Sequence, residues 1–171
     1  MHTRTNNIQA TPGHFEHSSL TLIVMENVSD TPTRVVVIDD DIVVSEIMAL
    51  SISKERGLSL VGVAHTDRDA AKVVRREQPD VVLFNYRKAD SHYVHIVRDV
   101  ISKSPRSRVV LVSGERNLDL GHEALNIGCS GVVGKDSSIA EILSAIRRAA
   151  RGELVVSSRS ISARSAAALI N

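Results

Sequence analysis

Asp80-Val81-Val82-Leu83-Phe84-Asn85-Tyr86 decides the fold class. Four consecutive apolar residues, Val81 to Phe84, follow Pro79-Asp80 and run into a polar end. A short unbroken apolar run bounded by a breaker reads as a strand buried on both faces. In an open parallel sheet, ligands and chemistry gather at the carboxyl ends of such strands. The residue to watch is therefore Asn85, the first polar residue after the run and a neutral carboxamide.

Working outward, the same grammar repeats. Upstream, Arg34-Val-Val-Val-Ile38 is a buried strand ending in Asp39-Asp40-Asp41, and Leu58 to Ala64 is a second. Between them Val43, Ile47 and Leu50 are spaced as one inward helix face, with an aspartate as cap and Gly57 as stop. Thr66 and Asp69 stand at capping-box spacing before a helix with Ala70, Val73 and Val74, which ends near Gln78-Pro79. Downstream, a third helix turns Val94, Val97 and Ile101 inward and closes at Pro105. Val109 to Val112 is the fourth strand, Leu118 to Ile127 the fourth helix with Gly128 as its stop, and Ser130 to Val133 the fifth strand. Ser138 and Glu141 make a capping box for the last helix, whose stripe is Ile139, Ile142, Leu143 and Ile146. Arg147, Arg148 and Arg151 suit its last turn, where the helix dipole favours cations. Five strands alternating with five helices give an α/β, doubly wound parallel sheet. Periodicity leaves the strand order open.

Bulk properties narrow the function. The 171 residues, 43% hydrophobic, suit one domain plus tails. A formal net charge of +1 gives no global field toward nucleic acid, and 2% aromatics argue against base stacking. The lone Cys129 excludes an internal disulfide and fits a reducing, cytoplasmic setting; it reads as a buried inert thiol. No stretch approaches the ~20 apolar residues that span a bilayer, and the run Leu20 to Met25, around the island Leu20–Val24, is too short and lacks the basic flank of a signal peptide. Residues 1–33 read as a disordered tail with that small apolar island, and Met25 is an alternative start.

The strand ends collect Asp39 and Asp40, His65-Thr66, Asn85, Ser113 and Lys135. Adjacent carboxylates plus a third oxygen can hold a hard divalent cation such as Mg2+. A hydroxyl and an ammonium can receive phosphoryl oxygens. Each alone is an ordinary cap or loop residue; four in order at one rim are not.

Residues 34 to about 152 resemble the receiver domain of two-component response regulators, most of all the nitrate-regulator type. The resemblance rests on Val-Val-Val-Ile-Asp-Asp-Asp (35–41), Gln-Pro-Asp-Val-Val-Leu-Phe-Asn-Tyr-Arg (78–87), Val-Val-Leu-Val-Ser-Gly (109–114) and Ala124-Leu-Asn-Ile-Gly-Cys-Ser-Gly-Val-Val-Gly-Lys-Asp136. It implies a flavodoxin-like sheet of order 2-1-3-4-5. It also implies that Asp39 and Asp40 are the Mg2+-binding acidic pair, Ser113 the switch hydroxyl and Lys135 the phosphoryl-contacting lysine. Asn85 falls on the phosphoacceptor aspartate, and Val132 falls where a Tyr or Phe swings inward on activation. Lys88-Ala89 replaces the apolar-Pro step of the following loop, and the glycine usual after it is absent.

These departures have consequences. Phosphoryl acceptance needs a carboxylate nucleophile, and an amide oxygen cannot form the ordinary acyl phosphate. Two carboxylates in place of three weaken Mg2+ binding. The expectation is a pseudo-receiver whose pocket is locked, Lys135 pairing with the acids and Asn85 donating into them. Residues 153–171 read as a tail, the remnant of a linker to a missing output domain; about twenty residues cannot build a helix-turn-helix. Arg151, Arg159 and Arg164 there read as solvated rather than as phosphate contacts. The chain then works by protein contact, with a sensor kinase, an output protein or itself as a homodimer. The family's usual face would be the fourth helix, fifth strand and fifth helix, about Leu118–Arg148.

Rival readings carry less. Asp39-Asp40-Asp41-Ile42-Val43 also resembles the start of haloacid-dehalogenase-like phosphatases, with Asp39 as nucleophile and Asp41 as acid/base. The later paired acids of that family are missing, since Glu153-Leu-Val-Val-Ser-Ser ends in none. Gly131-Val-Val-Gly-Lys-Asp fails as a phosphate loop because Cys129 and Asp136 stand at two of its fixed positions. His92 and His95, at i and i+3, lack a third ligand for a metal.

Overall fold

Each apolar run becomes a strand of a single parallel sheet. A computed structural model describes residues 31–87, 92–114 and 118–156. The strands are β1 (Thr33–Ile38), β2 (Leu58–Ala64), β3 (Val81–Tyr86), β4 (Arg108–Ser113), β5 (Gly131–Gly134) and β6 (Val155–Val156). The helices between them are α1 (Ile42–Lys54), α2 (Asp67–Glu77), α3 (Tyr93–Lys103), α4 (Leu118–Asn126) and α5 (Ile139–Ala150). The sheet order is β2-β1-β3-β4-β5-β6, every pairing parallel. The flavodoxin-like 2-1-3-4-5 order is thus present, extended by one short strand.

Side chains alternate across the strands, so each apolar run feeds two cores. Val36, Val82, Phe84, Val109 and Leu111 pack against α2, α3 and α4. Val35, Val37, Leu83, Val110 and Val133 pack against α1 and α5. The register sets Ile38 beside Phe84, Asn85 beside Val112, and Ser113 beside both Tyr86 and Gly134. Asp39, Asn85, Ser113 and Lys135 therefore share one rim.

Helix ends follow the sequence cues. Thr66 Oγ1 accepts from the Asp69 amide at 3.2 Å, and Ser138 and Glu141 form a complete reciprocal capping box. Cys129 is buried, and desolvation pushes its thiol up to about 12. Among the described residues no group of three or more His, Cys, Asp or Glu could hold a metal ion, His92 and His95 included. No helix among them is long and apolar enough to cross a membrane.

Three expectations are corrected. Helix α1 does not turn Val43, Ile47 and Leu50 inward: these are 65%, 50% and 57% exposed, and Ile42 is 58% exposed. Its inward side is Ser45, Met48 and Ile52, about half a turn around the helix. The buried Ser45 hydroxyl is tolerated there because it donates to the Ile42 carbonyl at 2.8 Å. Ile139, expected in the α5 stripe, sits at the edge of exposure, while Ile142, Leu143 and Ile146 are buried. Finally, Val155-Val156, expected in the tail, pairs with Gly131-Val132 as β6. Gly131 explains the approach, since a Cβ built there would lie 1.8 Å from the Val155 carbonyl oxygen. The readings of residues 1–30, Lys88 to Asp90, Arg159 and Arg164 lie outside the described residues.

Candidate functional site

The site grows from the ends of β1 and β3, adjacent in the sheet. Asp39 follows β1 directly and is 5% exposed. Its Oδ1 accepts the Asp41 amide at 2.9 Å and the Asn85 Nδ2 at 2.6 Å. The same Asn85 nitrogen donates to Asp40 Oδ1 at 3.1 Å. The amide orientation follows from chemistry: turning it over would aim the carbonyl oxygen at two carboxylates. Asn85 Oδ1 is then left buried with no hydrogen-bond partner among the described residues.

Burial raises the Asp39 pKa from its ordinary value, opposed by the Asp41 amide, the Lys135 charge and the Asn85 amide, with Asp40 adding to the rise. The cation in direct contact with this pair is Arg87, whose Nη2 is ion-paired to Asp40 Oδ2. Lys135 acts on Asp39 only through its longer-range field. The expectation that Lys135 pairs directly with the acids is thus corrected, and the sequence reading gave Arg87 no role. A signal existed: Asn85 and Arg87 are two residues apart on an extended strand end, so their side chains leave on the same side.

His65, at the end of β2, closes the other flank. Its Nδ1 lies 2.9 Å from the Asp39 carbonyl oxygen, which can only accept, so the ring nitrogen donates. Asp39, Asp40, His65, Thr66, Asp67, Asn85 and Arg87 line an open cleft of about 140 Å³. Behind Asn85, a second cavity of about 110 Å³ is walled by Val44, Met48, Leu83, Val112 and Ile142, with Lys135 at its edge. Ser113 is buried at the end of β4, and its carbonyl accepts the Lys135 amide at 2.7 Å. Val132 is buried within the α2–α3–α4 core. Asp41 does not join the cleft: its Oδ1 caps α1, accepting from the Val43 and Val44 amides at 3.0 and 3.2 Å. A carboxylate spent on a helix cap is a poor acid/base partner for Asp39, against the phosphatase reading.

Chemically this is an acidic cleft whose two carboxylates already have partners, while the Asn85 carbonyl oxygen has none among the described residues. Donors, the Asn85 NH2 and the Arg87 guanidinium, face the carboxylate oxygens that a divalent cation would need. A cation entering would have to displace both.

Comparison with known proteins identifies the family of this fold. The model of the response regulator receiver domain matches residues 35–147. The chain is 30% identical over 132 residues to the probable transcriptional regulatory protein NarL of Mycobacterium tuberculosis, covering 77% of this chain and 61% of that protein. The chain thus spans about three fifths of that relative's length. The solved signal receiver domain of the putative response regulator NarL from the same species superposes with a TM-score of 0.66 at 29% identity, over 72% of this chain and 99% of that one. A LuxR-family two-component response regulator from Aurantimonas sp. SI85-9A1 shares the fold, with a TM-score of 0.71 at 22% identity over 82% of this chain and 100% of that one. With the matched sequence and the 2-1-3-4-5 strand core in agreement, this chain belongs to the response regulator receiver domain family of two-component signalling.

Proposed function

We propose that this receiver domain signals by protein contact alone, as a pseudo-receiver whose acidic cleft is held in one state without aspartyl phosphorylation. The observation that carries the reading is the Asn85 amide donating to both Asp39 and Asp40. In this reading Asn85 stands at the phosphoacceptor position. Acyl-phosphate formation needs a charged carboxylate oxygen to attack phosphorus. Here the carbonyl oxygen is neutral and buried, and the nitrogen faces the cleft's carboxylates. The residues present also fit Mg2+ poorly. Arg87 supplies a fixed positive charge on Asp40, and Asn85 supplies hydrogen bonds where a metal would require lone pairs.

The switch positions support the same reading. Ser113 and Lys135 sit on the rim beside Asn85, yet Val132 offers no aromatic ring to rotate and lies packed in a core. With no ring to rotate, Val132 lacks the side-chain switch that a phosphoryl group would otherwise bias. Contact with a kinase, an output protein or a second copy would then be constitutive, through α4, β5 and α5. Control of transcription by such contact is the corresponding role for the chain, in line with the regulatory name of its mycobacterial relative.

The test is incubation with a small phosphodonor and Mg2+ followed by intact mass. No gain of about 80 Da is expected on the wild type, and acid-stable, Mg2+-independent masses should be unchanged. A labile adduct of that mass, abolished by Asn85→Ala, defeats the proposal. Light scattering with beryllofluoride supplies the second arm, with no mimic-dependent change in molecular mass expected.

A further inference from the structure

Asn85 lines two cavities, and its hydrogen bonds serve only one of them. Its nitrogen is spent on Asp39 and Asp40. Asp40 lines the cleft and not the cavity behind it, so the nitrogen marks the cleft side of the amide. The oxygen leaves the same carbon on the other side. Asn85 is also in register with Val112, so both side chains stand on the α1–α5 face of the sheet, where the second cavity lies. The oxygen is buried and has no hydrogen-bond partner among the described residues. A buried acceptor left without a donor is costly, and a guest that brings one relieves that cost.

The cavity says what kind of guest. It has about 110 Å³, walled by Val44 and Met48 of α1, Leu83 and Val112 of the sheet and Ile142 of α5. An ordered water takes about two to four polar partners, which apolar walls do not supply. The rest of the lining includes Asp39 and Lys135, one charge of each sign, so a neutral guest is favoured over an ion. An apolar cavity of about 150 Å³ takes benzene, so this one takes a slightly smaller molecule or a single ring whose edge stays in the mouth. Met48 is unbranched, and its adjustment opens the path to the oxygen.

We propose that this cavity binds a small neutral apolar molecule carrying one hydroxyl, which donates its proton to Asn85 Oδ1. The guest touches α1, α5 and the sheet at once, so it stabilises the folded domain by mass action. Binding needs only the amide orientation and is separable from whether the cleft accepts phosphate.

The probe is phenol, titrated into the full chain and followed by heteronuclear NMR. Fluorobenzene, similar in size but without a donor, is the control. Saturable binding of phenol in the millimolar range is expected, with shifts centred on the Asn85 carboxamide and on the methyls of Val44, Leu83, Val112 and Ile142. Phenol should bind at least as tightly as fluorobenzene, although fluorobenzene is the more hydrophobic of the two. Val44→Phe, which fills the cavity, should weaken phenol by at least about tenfold. Absence of saturable binding, a clear preference for fluorobenzene, or shifts centred elsewhere on the protein overturns the proposal, and none of these requires the variant to fold. A folded Val44→Phe that binds phenol as the wild type does overturns it equally.

Discussion

Replacing Asn85 by Asp is the sharpest perturbation of the cleft, and its size can be worked from the geometry. The substitution removes a donor 2.6 Å from Asp39 and 3.1 Å from Asp40. A hydrogen bond to a charged group contributes about 1.5–3 kcal/mol, and only the bond to buried Asp39 should approach that range. The substitution also places a third carboxylate against one already disfavoured by burial. That repulsion has a ceiling, because one carboxyl can protonate instead. Holding a proton at pH 7 on a group of ordinary pKa near 4 costs about 4 kcal/mol, at about 1.4 kcal/mol per unit. We therefore expect Asn85→Asp to lower unfolding stability by about 2–4 kcal/mol at pH 7.

The sign of the pH dependence follows. The crowded carboxyl has a folded pKa above its unfolded value. The destabilisation is complete above the folded pKa and disappears as pH falls toward the unfolded value near 4. The gap between variant and wild type should thus narrow between pH 7 and pH 5, by at most about 1.4 kcal/mol per unit. Urea unfolding at the two pH values, with and without Mg2+, is the assay. Three carboxylates should attract the cation more strongly than two, so Mg2+ at ten times the variant's dissociation constant should return about 1.4 kcal/mol to the variant and little to the wild type. A variant as stable as the wild type at pH 7, or a wild type stabilised equally by Mg2+, refutes the account of the cleft.

Four further outcomes are expected. Arg87→Met removes an ion pair with both partners substantially exposed, so stability should move by less than about 1 kcal/mol while Mg2+ protection, followed by thermal shift, rises. Ser138→Ala breaks the α5 capping box and should cost about 1 kcal/mol in urea unfolding. Cys129, buried with its thiol pushed up to about 12, should stay unreactive to a disulfide reagent at pH 8 until urea unfolds the chain. Gly131→Ala drives a Cβ into the Val155 carbonyl and should cost more than about 1 kcal/mol, with early loss of exchange protection at the Val155 amide.

The strands were legible because parallel strands buried on both faces spell themselves out as unbroken apolar runs, and Val81–Phe84 packs into both cores. The acidic rim was legible because polar residues closing such runs converge at one edge. Arg87 was missed because a loop arginine announces nothing by type; only its two-residue offset from Asn85 places it. Strand β6 was missed because two residues cannot show a period, and the glycine that admits it lies 24 residues upstream, at position 131 of the pair with Val155.

Helix α1 shows why one misreading was unavoidable. Val43, Ile47 and Leu50 satisfy the helical period as well as the side that is buried, and the buried side contains a serine. A sequence window measures apolarity against a single imagined partner. Where a helix has apolar residues facing two ways, the pattern cannot say which side meets the sheet, and the more apolar side need not win. The sheet side takes Ser45, buried next to the His65 ring just past β2, where a small side chain that bonds its own helix fits. The bulkier residues are left facing outward. The residues that defeated the pattern are thus the ones that α1 leaves exposed on the side away from the sheet.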